Sequence, residues 1–169
     1  FHQAVEFIRI SNSFEIPHLL GGVFPSYAPD VCIEEYGICL IGVGEGEKPV
    51  EIFCERVRTG QGLEGIPGTW YQDSKEKITK TLPTALVDLN DYHPDFSLFD
   101  AARFFRPMGG RVFKMIPVES YRGCPYTCTF CNSPTQISLA KSNGLGNFLR
   151  RKSISVLKDE LLHYIDVYD

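Results

Sequence analysis

The chain has no long apolar run, no excess of positive charge and no second pair of closely spaced cysteines or histidines, and each absence removes a class of function. A membrane-spanning helix needs about 20 predominantly apolar residues in a row, and none occur. Phe1 is not followed by a charged and then an apolar segment of the kind that directs export, so the expectation is a cytoplasmic protein with no membrane partner. With 17 Lys and Arg against 21 Asp and Glu, the net charge of -4 offers no electrostatic footprint for DNA or RNA. No G-x-G-x-x-G fingerprint is present either. The nearest glycine-rich turn, Gly42-Val43-Gly44-Glu45-Gly46-Glu47, carries two carboxylates that would repel a phosphate, so it reads as a tight turn.

Against this background one stretch stands out. Ser120 to Pro134 reads S-Y-R-G-C-P-Y-T-C-T-F-C-N-S-P, and it holds three of the 6 cysteines. Cys124, Cys128 and Cys131 form C-x3-C-x2-C, a spacing short enough for one loop to bring three thiolates to one inorganic centre. Thiolates are soft ligands suited to zinc or iron-sulfur clusters. A structural zinc site is closed by four protein ligands, and no Cys-x-x-Cys or His-x3-His pair stands elsewhere to complete it. A zinc-binding interaction module would therefore need a distant fourth ligand, His163 or Cys54. A plain α/β domain with an accidental cysteine cluster is the third reading. Cys32, Cys39 and Cys54 sit among apolar neighbours, where a free cysteine behaves as a small buried hydrophobe.

The cysteine stretch resembles the radical S-adenosylmethionine (SAM) enzymes, whose hallmark is C-x3-C-x-aromatic-C, matched here with Phe130 as the aromatic and sharpened by Arg122, Gly123, Pro125 and Tyr126. The resemblance implies that Cys124, Cys128 and Cys131 ligate three irons of a 4Fe-4S cluster and that the fourth iron binds the methionine part of SAM. It also implies that Phe130 lies against the adenine, with Tyr126 beside the cofactor and Gly123 and Pro125 shaping the loop. An external electron donor of flavodoxin or ferredoxin type would reduce the cluster, and reductive cleavage of SAM would give methionine and a 5'-deoxyadenosyl radical. In the cobalamin-linked branch, methyl transfer follows. The substrate is not legible.

Upstream, the pattern is that of an α/β domain. Phe1 to Ser13 has Ala4, Val5 and Ile8 at helical spacing and looks like the end of something longer. Pro17 to Phe24 reads as a short strand running into Gly21 and Gly22. Pro25 and Pro29 then punctuate a loop and open a brief helix through Tyr36. Gly37 to Val43 is almost wholly apolar, as expected of a strand buried on both faces of a parallel sheet. A helix follows, with Pro49 first, Gly60 just past its end, and a face of Val50, Phe53, Cys54 and Val57. A Gly-Gly strand end, a G-E-G-E turn and a helix resemble the C-terminal half of the cobalamin-binding domain that precedes many radical SAM cores. Contact of Gly21 and Gly22 with the cobalamin nucleotide tail is implied by that likeness, while the cobalt-ligating D-x-H-x-x-G loop does not occur in these residues.

Gly65 to Lys80 has the alternation of a β-hairpin around Asp73-Ser74-Lys75-Glu76. Leu82 to Gly110 reads as an irregular connector pinned to a domain surface by Tyr92, Phe96, Phe99, Phe104 and Phe105, with His93 as a solvated loop histidine. Arg111 to Tyr121 reads as a strand delivering the cysteine loop from its C-terminal end, and Ser133 to Asn147 as a polar stretch. Arg150, Arg151 and Lys152 read as a solvated turn. Ser153 then caps a helix whose apolar face is Ile154, Leu157, Leu161, Ile165 and Tyr168.

The fold expected is α/β: the C-terminal part of a doubly wound, cobalamin-binding-like domain over residues 1–64, a hairpin and connector over 65–109, and over 110–169 the first βα unit of a radical SAM partial barrel. One such unit does not enclose a radical, so the expectation is a segment of a larger enzyme, inactive by itself.

Overall fold

Gly22, with φ of 108°, sets the first departure from a simple strand pattern. A computed structural model describes residues 2–168, which divide into two compact units: 2–86 with Ala140–Gly146, and Val87–Leu139 with 147–168. In the first unit, helix α1 (His2–Ser13) turns Ile8 inward as its spacing predicts. The strand expected over Pro17–Phe24 shrinks to one parallel bridge between Leu20 and Ile41. The Leu20 amide donates to Leu40 O at 3.1 Å, and the Gly42 amide donates to Leu20 O at 2.7 Å. Gly22 then takes a backbone shape that other residues avoid, and the chain passes at once into α2 (Val23–Tyr27). Helix α3 (Pro29–Glu34) starts at Pro29 as read from sequence.

Strand β1 (Leu40–Gly42) is buried on both faces, with Leu40 and Ile41 at 2% and 0% exposure. Its main partner, however, is antiparallel: β2 (Thr69–Gln72) pairs Leu40 with Tyr71 and Gly42 with Thr69, and β3 (Ile78–Lys80) continues the sheet. The parallel sheet expected is therefore a mixed one, with a single parallel bridge at its edge. The β2–β3 hairpin forms as predicted. Asp73 Oδ1 accepts from the amides of Lys75 and Lys77 at 2.8 and 2.9 Å, and Glu76 takes φ of 62°. Ile8, Cys32, Ile33, Ile38, Ile41 and Val43 form the core, with Leu20, Trp70 and Ile78 packed on it.

Helix α4 (Glu47–Thr59) begins two residues before Pro49, which the first turn tolerates because the missing N–H has no intrahelical acceptor there. Gly60 closes it in the left-handed conformation, with φ of 68°. The helical face is turned from the one expected. Val50, Cys54 and Val57 are exposed, whereas Pro49 is buried and Ile52, Phe53 and Arg56 are half-buried. The spacing is the same, one residue earlier, which rotates the stripe by about 100°. Pro49 wedges against Gly68, where an added Cβ would come within 3.2 Å of its ring. The Arg56 guanidinium donates to the carbonyls of Gly62 and Glu64 at 2.9 and 2.6 Å. Of the three cysteines expected inside, Cys32 is buried, while Cys39 and Cys54 are exposed.

In the second unit the connector is more ordered than its sequence implied. Short 3-10 turns occupy Leu89–Asp91 and Ala101–Phe104, and a hairpin follows, β4 (Phe105–Met108) against β5 (Arg111–Lys114). Gly109 and Gly110 both take positive φ, 58° and 76°, as a two-residue hairpin turn requires. Phe96 and Phe104 do pin the connector: Phe96 lies 5.4 Å from Tyr164 and 6.2 Å from Tyr168, ring centre to ring centre. Phe99 and Phe105 remain half exposed. Because Arg111–Lys114 folds back on β4, it does not deliver the cysteine loop. That task falls to β6 (Tyr121–Arg122), antiparallel to β7 (Arg150–Arg151). The polar stretch after the cysteines contains α5 (Ser133–Ser142), and α6 (Ile154–Tyr168) ends the described residues.

Ser153 Oγ accepts from the Val156 amide at 3.3 Å, so the predicted cap forms. The predicted apolar face of α6 does not turn inward as a whole. Ile154, Leu161 and Ile165 are exposed, and the buried residues are Glu160 and Tyr164. The reason is Lys152. Its side chain and that of Glu160 are 1% and 0% exposed and form an ion pair, so the run Arg150-Arg151-Lys152 is not a solvated turn. The chain is α/β, yet among the described residues every pairing between named strands is antiparallel, so the doubly wound parallel sheet does not form as expected.

Candidate functional site

The cysteine loop starts from a short, tightly fixed ladder. Tyr121 pairs with Arg151 and Arg122 with Arg150, and the Lys152 amide donates to Ser120 O at 3.0 Å. Arg122 grips Glu119 through two hydrogen bonds of 3.0 and 2.9 Å. Gly123 follows with φ of 99°, and a Cβ there would lie 2.3 Å from Phe148 O. Only glycine fits between these two backbones.

Beyond Gly123, the chain from Cys124 to Asn132 forms no helix or strand, apart from one turn in which the Cys131 amide donates to Cys128 O at 3.2 Å. Helix α5 then begins two residues after Cys131, with Pro134 in its first turn. The three thiols are free; Cys124 is half-buried and Cys128 and Cys131 are exposed. Phe130 is 92% exposed and Tyr126 69%, an unusual position for two large aromatic rings. The Ser133 amide donates to Cys131 Sγ at 3.5 Å and its hydroxyl lies 3.5 Å from the same sulfur. These hydrogen bonds hold the Cys131 thiol below its ordinary pKa.

Gly123, Cys124, Tyr126, Cys128, Phe130 and Cys131 thus share one loop, but the thiols do not converge. Among the described residues no three His, Cys, Asp or Glu side chains are grouped closely enough to hold a metal ion. The donor set suits an iron-sulfur cluster in chemistry: soft thiols, unpaired by disulfides, on a loop that no ladder fixes. The proposed zinc ligands His163 and Cys54 are both exposed, on α6 and α4. Gly21 and Gly22 lie in the first unit, exposed, and a Cβ on either would meet nothing within 4 Å.

The sequence reading missed a buried polar cluster in the second unit. Glu160 accepts from Lys152 Nζ and, at 2.7 Å, from the Tyr164 hydroxyl, and His93 Nδ1 stands 3.6 Å from it. Burial pushes the Glu160 carboxyl up, but the hydrogen bonds from Lys152 and Tyr164 and the Lys152 charge leave it below its ordinary value. Burial and the bond to Glu160 raise the Tyr164 phenol. The four-residue spacing of Glu160 and Tyr164 on one helix was the available signal, hidden because Lys152 reads as the end of a basic run.

No protein-family model matches the chain. An uncharacterized methyltransferase of Pyrococcus horikoshii is 27% identical over 152 residues, which are 86% of this chain and 30% of that protein. Anaerobic magnesium-protoporphyrin IX monomethyl ester cyclase of Rubrivivax gelatinosus is 30% identical over 124 residues, 70% of this chain and 22% of the relative. Among solved structures, the radical SAM methyltransferase TsrM of Kitasatospora setae, with cobalamin and a 4Fe-4S cluster bound, superposes with a TM-score of 0.58. It is 19% identical and covers 98% of this chain, which covers 31% of it. The chain is similar to cobalamin-dependent radical SAM enzymes. OxsB, a cobalamin-dependent SAM radical enzyme with aqua-cobalamin and SAM bound, gives a TM-score of 0.54 at 18% identity, over 99% of this chain and 22% of its own. At these identities the structural likeness to radical SAM enzymes is one of fold. The chain spans between 19% and 30% of the length of the curated relatives it matches. No helix among the described residues is long and apolar enough to cross a membrane.

Proposed function

We propose that this chain is the cluster-binding stretch of a cobalamin-linked radical SAM methyltransferase. The observation that carries the reading is the exposed C-x3-C-x2-C loop, with Phe130 almost fully in solvent, in a chain with the fold of such enzymes. Cys124, Cys128 and Cys131 hold the cluster as thiolates, and the hydrogen bonds from Ser133 favour the thiolate at Cys131. Gly123 lets the loop leave β6 against the Phe148 backbone. Phe130 and Tyr126 cover the adenine of SAM, removing two apolar rings from water. Gly21 and Gly22 offer bare backbone to the nucleotide tail of cobalamin.

When bound, the cluster supplies the electron that cleaves SAM, and the protein's part is to bind, orient and exclude water. The segments we assign are 1–64 to the cobalamin-binding-like domain, 65–109 to the hairpin and connector, and 110–169 to the start of the radical SAM core. A flavodoxin- or ferredoxin-type protein is the external electron donor, and the setting is cytoplasmic. This stretch alone binds the cluster without turning over. To test the reading, the protein carrying this chain is reconstituted anaerobically with iron and sulfide, then given dithionite and SAM. Formation of 5'-deoxyadenosine or a methylated product, lost in Cys124→Ala, Cys128→Ala and Cys131→Ala, is the expected result. A colourless protein holding one zinc per chain would replace this reading with that of a structural module.

A further inference from the structure

Away from the thiol loop, the second unit contains a groove of about 380 Å³, at the small end of the range for small-molecule sites. Its floor includes Phe96 and Phe104, whose rings meet edge to face at 5.9 Å. Met115 and Ile116 form a wall, and Arg103 and Arg106 line the same space. Among the described residues no carboxylate lines it. Asp95 and Asp100, the nearest acids before it in sequence, use side-chain oxygens to accept from the amides of Ser97 and Ala102, each at 2.8 Å. Among the described residues neither Arg103 nor Arg106 is ion-paired. From Ala101 to Val118 the chain has four cations (Arg103, Arg106, Arg111 and Lys114) and no acid, although the net charge of the whole is -4.

This combination selects its ligand by chemistry. Two guanidinium groups without partners favour a carboxylate, sulfonate or phosphate. The aromatic and aliphatic lining favours an apolar body and gives no hydrogen bonds to a polar one. Phe99 and Met115, 51% and 44% exposed, would gain by being covered. We propose that this groove binds a small, freely soluble amphipathic anion, its apolar body on Phe96 and Phe104 and its charged head between Arg103 and Arg106. The site is independent of the cluster reading and does not use the cysteines.

The test is binding of dodecanoate to the protein carrying this whole chain, followed by calorimetry and by displacement of anilinonaphthalene sulfonate fluorescence, with dodecanol as the uncharged control. The expected result is one saturable site that binds dodecanoate about tenfold more tightly than dodecanol, since a charged hydrogen bond is lost with the carboxylate. Arg103→Gln and Arg106→Gln each weaken dodecanoate by about tenfold on the same basis and leave dodecanol unchanged. Arg103→Lys and Arg106→Lys keep most of the affinity, which separates a charge effect from misfolding. Arg111→Gln, on the same hairpin outside the groove, and the triple Cys124→Ala, Cys128→Ala, Cys131→Ala variant bind as the parent does. Equal affinity for acid and alcohol, unchanged binding by both Gln variants, or association with anionic phospholipid vesicles without saturable binding of free dodecanoate would each overturn the proposal.

Discussion

In the first unit the deeply buried side chains are mostly aliphatic, Ile33, Ile38, Leu40, Ile41 and Ile66, with Pro49, Thr69 and Cys32 as deep. In the second, Leu89 is as deep, but Lys152 and Glu160 are buried too, paired with each other, and Glu160 also accepts a hydrogen bond from the Tyr164 hydroxyl. Aliphatic burial is indifferent to pH and tolerates repacking. A buried ion pair carries a desolvation cost that only its partner offsets. The two units therefore differ in how they fail, and amide hydrogen exchange, read unit by unit, separates them.

The largest effect is expected where one charge is left alone. Lys152→Ala removes the partner of Glu160 and should destabilise the second unit by about 3–5 kcal/mol, whereas Lys152→Met with Glu160→Leu should cost far less. Equal losses in the single and double variants would show that the pair contributes only packing. In the first unit, Ile41→Ala should cost about 2–5 kcal/mol, with no change in its pH dependence.

The pH response sharpens the same contrast. Glu160 has a lowered pKa in the folded chain, so its contribution is present above the ordinary value of 4.5 and is lost as pH falls below it. Tyr164 has a raised pKa, so its contribution is present below the ordinary value of 10.0 and is lost as pH rises above it. Protection in the second unit should fall at both extremes, and Tyr164→Phe should flatten the alkaline limb. An alkaline limb unchanged in Tyr164→Phe would remove the phenol from the account.

Gly123→Ala should cost about 1–3 kcal/mol or more, from the positive φ and the contact with Phe148 O. Its loss should appear in exchange at Tyr121, Arg122, Arg150 and Arg151 before anywhere else. Smallest of all, Val57→Lys on the exposed side of α4 should stay within about 0.5 kcal/mol, as surface changes do. A large loss there would return the buried stripe to Val50, Cys54 and Val57.

These contrasts also explain which features were legible in the sequence. The helix over residues 2–13, the Gly60 stop, the hairpin around Asp73 and the Ser153 cap depend on local chemistry, and each formed as read. The facing of α4 and α6 did not. A period of 3.6 leaves the choice among adjacent stripes to tertiary contacts, here Pro49 on Gly68 and Lys152 on Glu160. The β4–β5 hairpin was overlooked although Gly109-Gly110 is a strong turn signal, because the prolines around it suggested an irregular connector. The cysteine loop was legible as a motif, since its spacing lies within eight residues. Its thiols do not converge in the chain by itself, and no pattern of residues predicts that.

The most direct measurement is low-temperature EPR of the anaerobically reconstituted, reduced protein, with and without SAM, alongside iron and sulfide analysis. About four irons per chain, as a 4Fe-4S cluster holds, a signal that changes when SAM is added, and loss of both in the Cys124→Ala, Cys128→Ala, Cys131→Ala variant are the predicted results. A protein that takes up no iron, or whose cluster signal persists without those three cysteines, would contradict the assignment of the loop.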